Sequence, residues 1–440
     1  MERTLTIHKV IAGGKGLGRL EDGMVVMTTG VLPGETVTVR LAKKYRNHQE
    51  ADLLRVVEPS DQRIDPPCPL YGRCGGCNLQ HARPETQLTL KEAILRESLE
   101  RAHLECDGIF QPALASPRGL GYRFRLRLHL DQQGQIGFHR SASNTVVPVQ
   151  RCLLATEPLN QAIAGLIDQG LPQRLAGLVA AVELLQSPDD DRIILALEPR
   201  AATGPAQLSA LLPGLSETAD AVVFRPPPGR TGEFPEVPAE LSQSFSLFGR
   251  SWQLRWDHRC FFQVNALQNP RLIAAALELI KTIETPPASG NAWNALDLFC
   301  GAGNFSLPLG ILGRTGARVT GIEANPHAVF WASRNAQEAG LADARFFAAD
   351  VGKRLHALVK QQARFHTILF DPPRQGLGKA AALLPRLKAR QIIAVSCDPA
   401  TLARDLALLV QGGYRLRSIR AVDMFPQTHH IEAVALLERI

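Results

Sequence analysis

The spacing of apolar positions changes several times along the chain. Up to about residue 59, short alternating segments (24–27, 36–40 and 51–57) are interrupted by Gly13-Gly14, Gly16, Gly18, Asp22-Gly23 and Pro33-Gly34. A period of two punctuated by glycines predicts a small β-barrel. Over 84–102, Leu88, Ile94, Leu95 and Leu99 recur at helical spacing with Lys91, Glu92, Arg96 and Glu97 as the polar set, which predicts an amphipathic helix. Residues 122–130 alternate again, with Phe124, Leu126, Leu128 and Leu130 on one face and Arg123, Arg125, Arg127 and His129 on the other; Gln133-Gly134 turns this strand into 136–140. The stretch 161–255 reads as α+β without chemistry of its own, with Pro226-Pro227-Pro228-Gly229-Arg230 as an exposed loop. From about Phe261, buried strands alternate with helices, the texture of a doubly wound sheet. The predicted organisation is therefore a barrel (1–59), a central α+β domain (60–260) and an α/β, Rossmann-like domain (261–440).

Composition narrows this picture. With 45% hydrophobic and 21% charged residues, the 440-residue chain has the balance of a globular protein with a sizeable core. Lys+Arg 49 against Asp+Glu 42 gives +7, a modest excess that suits a polyanionic partner. No apolar run has membrane-spanning length, and Met1-Glu2-Arg3-Thr4-Leu5 lacks the apolar core of a signal peptide. The expectation is a cytoplasmic protein, a monomer without membrane contact, whose 8 cysteines serve as ligands or catalysts rather than disulfides. Lys15, Arg19, Arg40, Lys43, Lys44 and Arg46 with Tyr45 give the barrel a basic edge suited to phosphate attraction and base stacking. Four like charges on one face of strand 122–130 repel unless something anionic neutralises them, which makes that hairpin an RNA-contact candidate.

Three cysteines, Cys68, Cys74 and Cys77, stand in a C-x5-C-x2-C arrangement on a Gly/Pro-rich loop. Packing explains such a loop poorly, whereas glycines let a backbone fold around a bound centre. A fourth thiolate is needed, and four would suit zinc or an iron–sulfur cluster equally by spacing. In the last third, Asp297-Leu298-Phe299 ends a strand and Cys300-Gly301-Ala302-Gly303-Asn304-Phe305 bends into a helix. Three later strands end at Glu323, near Asp350 and at Asp371-Pro372-Pro373-Arg374. The full dinucleotide fingerprint is absent, and acids at successive strand ends would repel phosphates. They suit a cationic adenosine cofactor, S-adenosylmethionine. A further strand, 391–395, leads into Ser396-Cys397-Asp398-Pro399, so Cys397 sits where strand becomes helix. A helix N-terminus there is expected to lower the thiol pKa, although a small buried residue is the common fate of a cysteine.

Several of these stretches together carry a resemblance. The barrel, through its Ala12-Gly13-Gly14-Lys15-Gly16-Leu17-Gly18-Arg19 turn, resembles the TRAM domain, an RNA-binding module. Phe262-Gln263-Val264-Asn265, Asp297 to Phe305, Asp371-Pro372-Pro373-Arg374, the run from Ser396 to Asp405, and Thr428-His429-His430-Ile431-Glu432 resemble the RNA uracil C5-methyltransferase family over nearly the whole chain. Barrel and cysteine loop are most similar to the branch that methylates 23S rRNA and carries a 4Fe-4S cluster. The resemblance implies Cys68, Cys74, Cys77 and Cys152 as cluster ligands, and Gln263, Phe299, Asn304, Glu323, Asp350 and Asp371 at S-adenosylmethionine. It further implies Cys397 as the nucleophile that adds to uracil C6 and Glu432 as the base that removes the C5 proton. Asp398 departs from the Asn usual after the nucleophile, and an added carboxylate is expected to raise the Cys397 pKa. The His429-His430 pair lies where the family varies. A flipped uridine is expected, with Phe261 or Phe262 as a stacking partner. Within the same chemistry, a tRNA uridine is the runner-up target. A non-catalytic metal-containing RNA-binding factor has no need of an intact Cys397, Glu432 and strand-end acids. A radical enzyme would leave one iron open, whereas a fourth ligand at Cys152 would close the site.

Overall fold

The computed structural model describes residues 1–227, 229, 239–280, 293–313 and 317–440; Pro228 and Arg230 of the expected exposed loop lie outside them. Strands β1 (Glu2–Val10), β2 (Lys15–Arg19), β3 (Val25–Thr29), β4 (Thr36–Lys44) and β5 (Gln49–Glu58) close into a barrel in the order β1-β2-β3-β5-β4. Gly16 and Gly18 were expected as turn punctuation and instead lie inside β2. A Cβ on Gly16 would stand 2.2 Å from Val31 Cγ2, and one on Gly18 2.5 Å from the Thr6 carbonyl oxygen. Close approach across the barrel, not a turn, explains these two. The helix Pro84–Arg101 follows, with Leu90, Ile94, Leu95 and Leu99 buried as its apolar spacing requires. Lys91, expected on the polar side, is only 1% exposed.

The central sheet contains β6 (Arg125–Leu130), β7 (Ile136–His139), β8 (Val146–Pro148), β9 (Val179–Gln186), β10 (Ile193–Pro199) and β11 (Ala221–Phe224), in the order β11-β10-β9-β6-β7-β8. The basic face of β6 is neutralised from within. Arg125 pairs with Glu183 of the adjacent strand β9 at 2.5 Å, and Arg127 with Glu198 of β10, one strand further on, at 2.5 Å. His129 stacks on His139 with ring centroids 3.7 Å apart. Two of the charges on this face are thus met by the protein's own carboxylates, Glu183 being shared with Arg225, so the charge of the strand alone no longer calls for RNA. Arg123 is the exception, because it turns away from this face into the interior between two cavities.

A hairpin, β12 (Glu240–Leu247) and β13 (Arg250–Asp257), packs Leu241, Trp252, Leu254 and Trp256 into a core shared with the C-terminal sheet. That sheet comprises β14 (Asn294–Leu298), β15 (Arg318–Glu323), β16 (Ala344–Ala348), β17 (Thr367–Phe370), β18 (Gln391–Ser396), β19 (Tyr414–Val422) and β20 (Glu432–Arg439). Its order is β16-β15-β14-β17-β18-β20-β19, with β20 antiparallel to both neighbours. The order reverses between β14 and β17, and in an open α/β sheet ligands bind outside the strand ends at such a point. Among the described residues no helix is long and apolar enough to cross a membrane.

Candidate active site

A cavity of about 1190 Å³ opens over the carboxyl ends of these strands. Gln263, Phe299, Asn304, Glu323, Asp350, Asp371, Cys397 and Glu432, which come from seven separate chain segments, all line it. The bend after β14 supplies its floor. Phe299 holds φ 62°, a left-handed conformation uncommon for a side chain of its size, and so turns the chain back beneath the cavity. The following helix starts at Ser306 rather than at Cys300, since residues 301–305 form turns. Glu323 is fixed by accepting from the backbone N–H of Gly301 at 3.3 Å and of Asn325 at 2.8 Å. Asn304 and Asn269 exchange reciprocal amide bonds at 2.9 and 3.1 Å, which orients the Asn304 amide. Asp350 begins the helix Val351–Lys360 and accepts from Lys353 N–H at 2.8 Å.

The loop after β17 and the helix after β18 hold each other. Thr401 Oγ1 donates to the Arg374 carbonyl at 3.0 Å, Arg404 Nη2 to the Gln375 carbonyl at 2.7 Å, and Asp405 accepts from Leu377 N–H at 2.6 Å. Residues of the Cys397 motif that never reach the cavity therefore fix the loop bearing Asp371 and Arg374. Gln263 Nε2 meets Asp371 Oδ2 at 3.5 Å.

Electrostatics correct two expectations. Burial pushes the Cys397 thiol up to about 12, with the negative charges of Glu432 and Asp371 adding and Arg374 opposing. The helix end does not win, because desolvation of a thiolate outweighs a partial dipole charge. Asp398 is not the tuning neighbour. Its carboxylate caps the helix Pro399–Gln411 by accepting from Thr401 N–H at 2.8 Å. Asp398→Ala is expected to cost about 1 kcal/mol of stability, the usual worth of such a cap, while Asp398→Asn retains it. Thermal unfolding alongside alkylation of Cys397 checks both halves, and a large change in thiol reactivity without a stability loss would restore the tuning role.

Glu432, 2% exposed, has its carboxyl pKa raised well above the ordinary value by burial and then by Asp371. Its Oε1 has no hydrogen-bond partner among the described residues. Burial likewise lifts Asp371 to about 7. Two such carboxyls close together do not both ionise at neutral pH, so the pair keeps a proton beside Cys397. Asp297, fully buried, is lifted to about 8 by burial, and the Ser306 hydroxyl anchors it. Phe261 is 65% exposed at the cavity edge, whereas Phe262 is buried against Trp256 at 5.0 Å, which leaves Phe261 as the ring available for stacking. Sequence reasoning missed the roles of Arg123 and His430 in this wall; both line the cavity, and only the tertiary fold brings them there.

A second, smaller cavity of about 80 Å³ is bordered by Cys68, Cys74, Cys77 and Cys152, with Arg123 between it and the larger one. Cys77 is pushed up to about 12 by burial and then by the neighbouring Cys152. Among the described residues, no three His, Cys, Asp or Glu side chains converge closely enough for a single ion. The four cysteines instead surround a volume.

Residues 239–440 match the family model described as tRNA (Uracil-5-)-methyltransferase. Over 99% of its length the chain is 35% identical to the 23S rRNA (uracil(1939)-C(5))-methyltransferase RlmD of Pseudomonas putida, covering 94% of that protein. It is 35% identical to the RlmD of Acidithiobacillus ferrooxidans over 98% of this chain and 96% of the relative. A crystal structure of Pyrococcus abyssi tRNA (uracil-54, C5)-methyltransferase with S-adenosyl-L-homocysteine superposes with a TM-score of 0.72 at 23% identity, covering 98% of this chain and 99% of the other, a likeness of fold. With a barrel ahead of a methyltransferase sheet and full-length identity to the RlmD proteins, the chain belongs to the RNA uracil C5-methyltransferase family, on the branch of those relatives.

Proposed function

We propose that this protein methylates C5 of the uridine in 23S rRNA that corresponds to the position named for its relatives, using S-adenosylmethionine, in the cytoplasm. The observation that carries the reading is the convergence of Cys397, Glu432 and Asp371 on one cavity in a chain of this family. Uracil C5 is too weak a nucleophile to take a methyl group unaided. Cys397 loses its proton to solvent and its sulfur bonds to C6, and the displaced π electrons become an enolate with carbanion character at C5. S-adenosylmethionine supplies an electrophilic methyl group and leaves as a neutral thioether. Glu432 then takes the C5 proton, the C5=C6 bond re-forms, and the sulfur departs. A carboxylate made unusually basic by burial and by Asp371 suits that last step.

For the cofactor, Glu323 would suit the ribose hydroxyls and Asp371 with Gln263 the cationic end, with Phe299, Asn304 and Asp350 lining the rest of the surface. Phe261 offers a stacking face to a flipped base, and the TRAM-like barrel offers Tyr45, stacked on His48 at 4.6 Å, to RNA outside the cavity.

The four cysteines are assigned to a 4Fe-4S cluster on the likeness to the 23S rRNA branch of the family, and their position around one small cavity fits that assignment. Its role is structural, since Cys397 and the methyl donor account for the whole reaction. Serine at position 77 is expected to abolish the visible absorption of the anaerobically reconstituted protein and to lower its iron content. Stoichiometric zinc in the wild-type protein, without iron, would instead establish a tetrahedral site.

The target is tested by mapping 5-methyluridine in rRNA and tRNA from cells lacking this protein. Loss of one 23S rRNA site with tRNA unchanged supports the proposal. Loss confined to a tRNA moves the chain to the second reading, which its match to the tRNA enzyme model motivates.

A further inference from the structure

Between β19 and β20 runs a nine-residue strap, 423–431, that delivers Glu432 to the cavity. The strap is gripped from segments far away in sequence. Lys91, buried in the helix Pro84–Arg101, donates to Asp423 Oδ1 at 2.6 Å and to the Phe425 carbonyl at 2.9 Å. Tyr122 OH donates to the Pro426 carbonyl at 2.9 Å. Gln427 holds φ 70°, uncommon for a residue with a side chain, and is pinned there from two directions. Its N–H donates to Gln87 Oε1 at 2.8 Å, and its carbonyl accepts from the N–H groups of Asn78 and Leu79 at 3.1 and 3.0 Å.

Asn78 is where these restraints meet. It follows Cys77 directly, so the cysteine loop fixes its backbone. Its side chain reaches in two directions: Oδ1 accepts from His429 N–H at 2.9 Å, while Nδ2 lies 2.9 Å from His429 Nδ1 and donates to the Gly13 carbonyl of the barrel turn at 3.1 Å. The neighbouring Gly14 leaves no room for anything larger. With φ +75°, a Cβ there would stand 2.3 Å from Asn78 Nδ2 and 3.1 Å from His429 Cβ. Barrel, cysteine loop and strap are thus joined through one amide, three residues before Glu432.

We infer that Asn78 is a positioning residue for proton abstraction, tying the barrel turn and the cysteine loop to the strap so that Glu432 stands at the C5 proton. The inference rests on the base role proposed for Glu432. It also gives the Gly13-Gly14 turn a task besides RNA binding and the cysteine loop a task that needs no redox chemistry. Asn78 lines neither cavity and acts only through the strap that carries Glu432, so its loss is felt late in the reaction: addition of Cys397 and transfer of the methyl group proceed, and elimination lags.

The test is single-turnover methylation of an RNA fragment containing the target uridine by the full-length holoenzyme. Methyl transfer and product release are followed separately, and the denaturation-resistant enzyme–RNA adduct is quantified. Asn78→Ala is expected to slow release about 10- to 100-fold, the cost typical of a catalytic group moved by about an ångström. The adduct fraction should rise while KM for S-adenosylmethionine stays within about twofold, because the cofactor lining is on other segments. Gly14→Ala, whose new Cβ displaces the same amide, should reproduce the pattern from the barrel side. Asn78→Asp, which keeps the acceptor for His429 N–H, should release product faster than Asn78→Ala. A proportional loss of methyl transfer and release in Asn78→Ala, or wild-type adduct levels in both Asn78→Ala and Gly14→Ala, overturns the inference. Glu432→Gln serves as the reference: if it accumulates adduct and Asn78→Ala does not, the positioning role fails alone; if it accumulates none, the base assignment fails first.

Discussion

Alanine at position 397 is expected to abolish methyl transfer, a loss on the order of 10⁶-fold, the scale on which removing a covalent nucleophile slows other enzymes. No neighbouring group replaces it, because the carboxylates beside it are poor nucleophiles toward uracil C6 and are partly protonated. Incorporation of labelled methyl groups into target RNA measures this directly, and residual C5 methylation in Cys397→Ala would show that the covalent route is wrong. The pH behaviour of the free thiol is a companion test. Burial raises Cys397 to about 12, so at neutral pH the resting group is the thiol, and reactivity is gained as pH rises. Alkylation of Cys397 should therefore accelerate about tenfold per pH unit between 7 and 10, following the thiolate fraction. A rate already at its plateau near pH 7 would mean that the helix end controls the thiol after all. Since the substrate must meet a thiolate, proton loss from Cys397 has to accompany RNA binding, and that proton has to leave to solvent, because Glu432 must be an open carboxylate to take the C5 proton later.

The second large effect belongs to Glu432→Gln. Glutamine keeps the shape of the side chain and cannot accept a proton, so addition and methylation go forward while elimination stalls. Turnover should fall about 10²- to 10⁴-fold, the usual contribution of a positioned general base. The methylated RNA should remain attached through Cys397 and survive denaturation as a slow-migrating band, and the double variant with Cys397→Ala should show none. Free, fully released product from Glu432→Gln at the wild-type rate would assign the base elsewhere, with Asp371 the first alternative because it shares the cavity.

Much of the fold could be read locally. Alternating residues of 36–40 and 51–57 fall within β4 and β5, the helical spacing after Pro84 gives the helix observed, and the apolar runs before Glu323, Asp371 and Cys397 are β15, β17 and β18. These readings hold because the period of apolar residues reports which face of an element is buried, whatever covers it. The residues expected at the site also converge, since a strand followed by a turn places its last side chain at the sheet edge in every doubly wound fold.

Charge was harder to read. The arginines of β6 looked like an exposed basic face only because Glu183 and Glu198, which neutralise Arg125 and Arg127, lie some 58 and 71 residues away. Lys91 looked solvated because its partner Asp423 is 332 residues distant. The Cys397 thiol follows the same rule: the helix end is local and visible in the sequence, while the burial and the two carboxyls that outweigh it come from other segments.

By itself, then, the sequence determined the order of elements, the chemical identities at the strand ends and the family to which they point. Local patterns suffice for these because hydrophobic period and turn residues act over a few positions. Only the tertiary structure decided which charges cancel, how strongly Cys397 holds its proton, and that Asn78 ties Gly13 to His429. Those outcomes are set by distances between segments tens to hundreds of residues apart, and electrostatic and hydrogen-bond energies change over ångströms that no periodicity encodes.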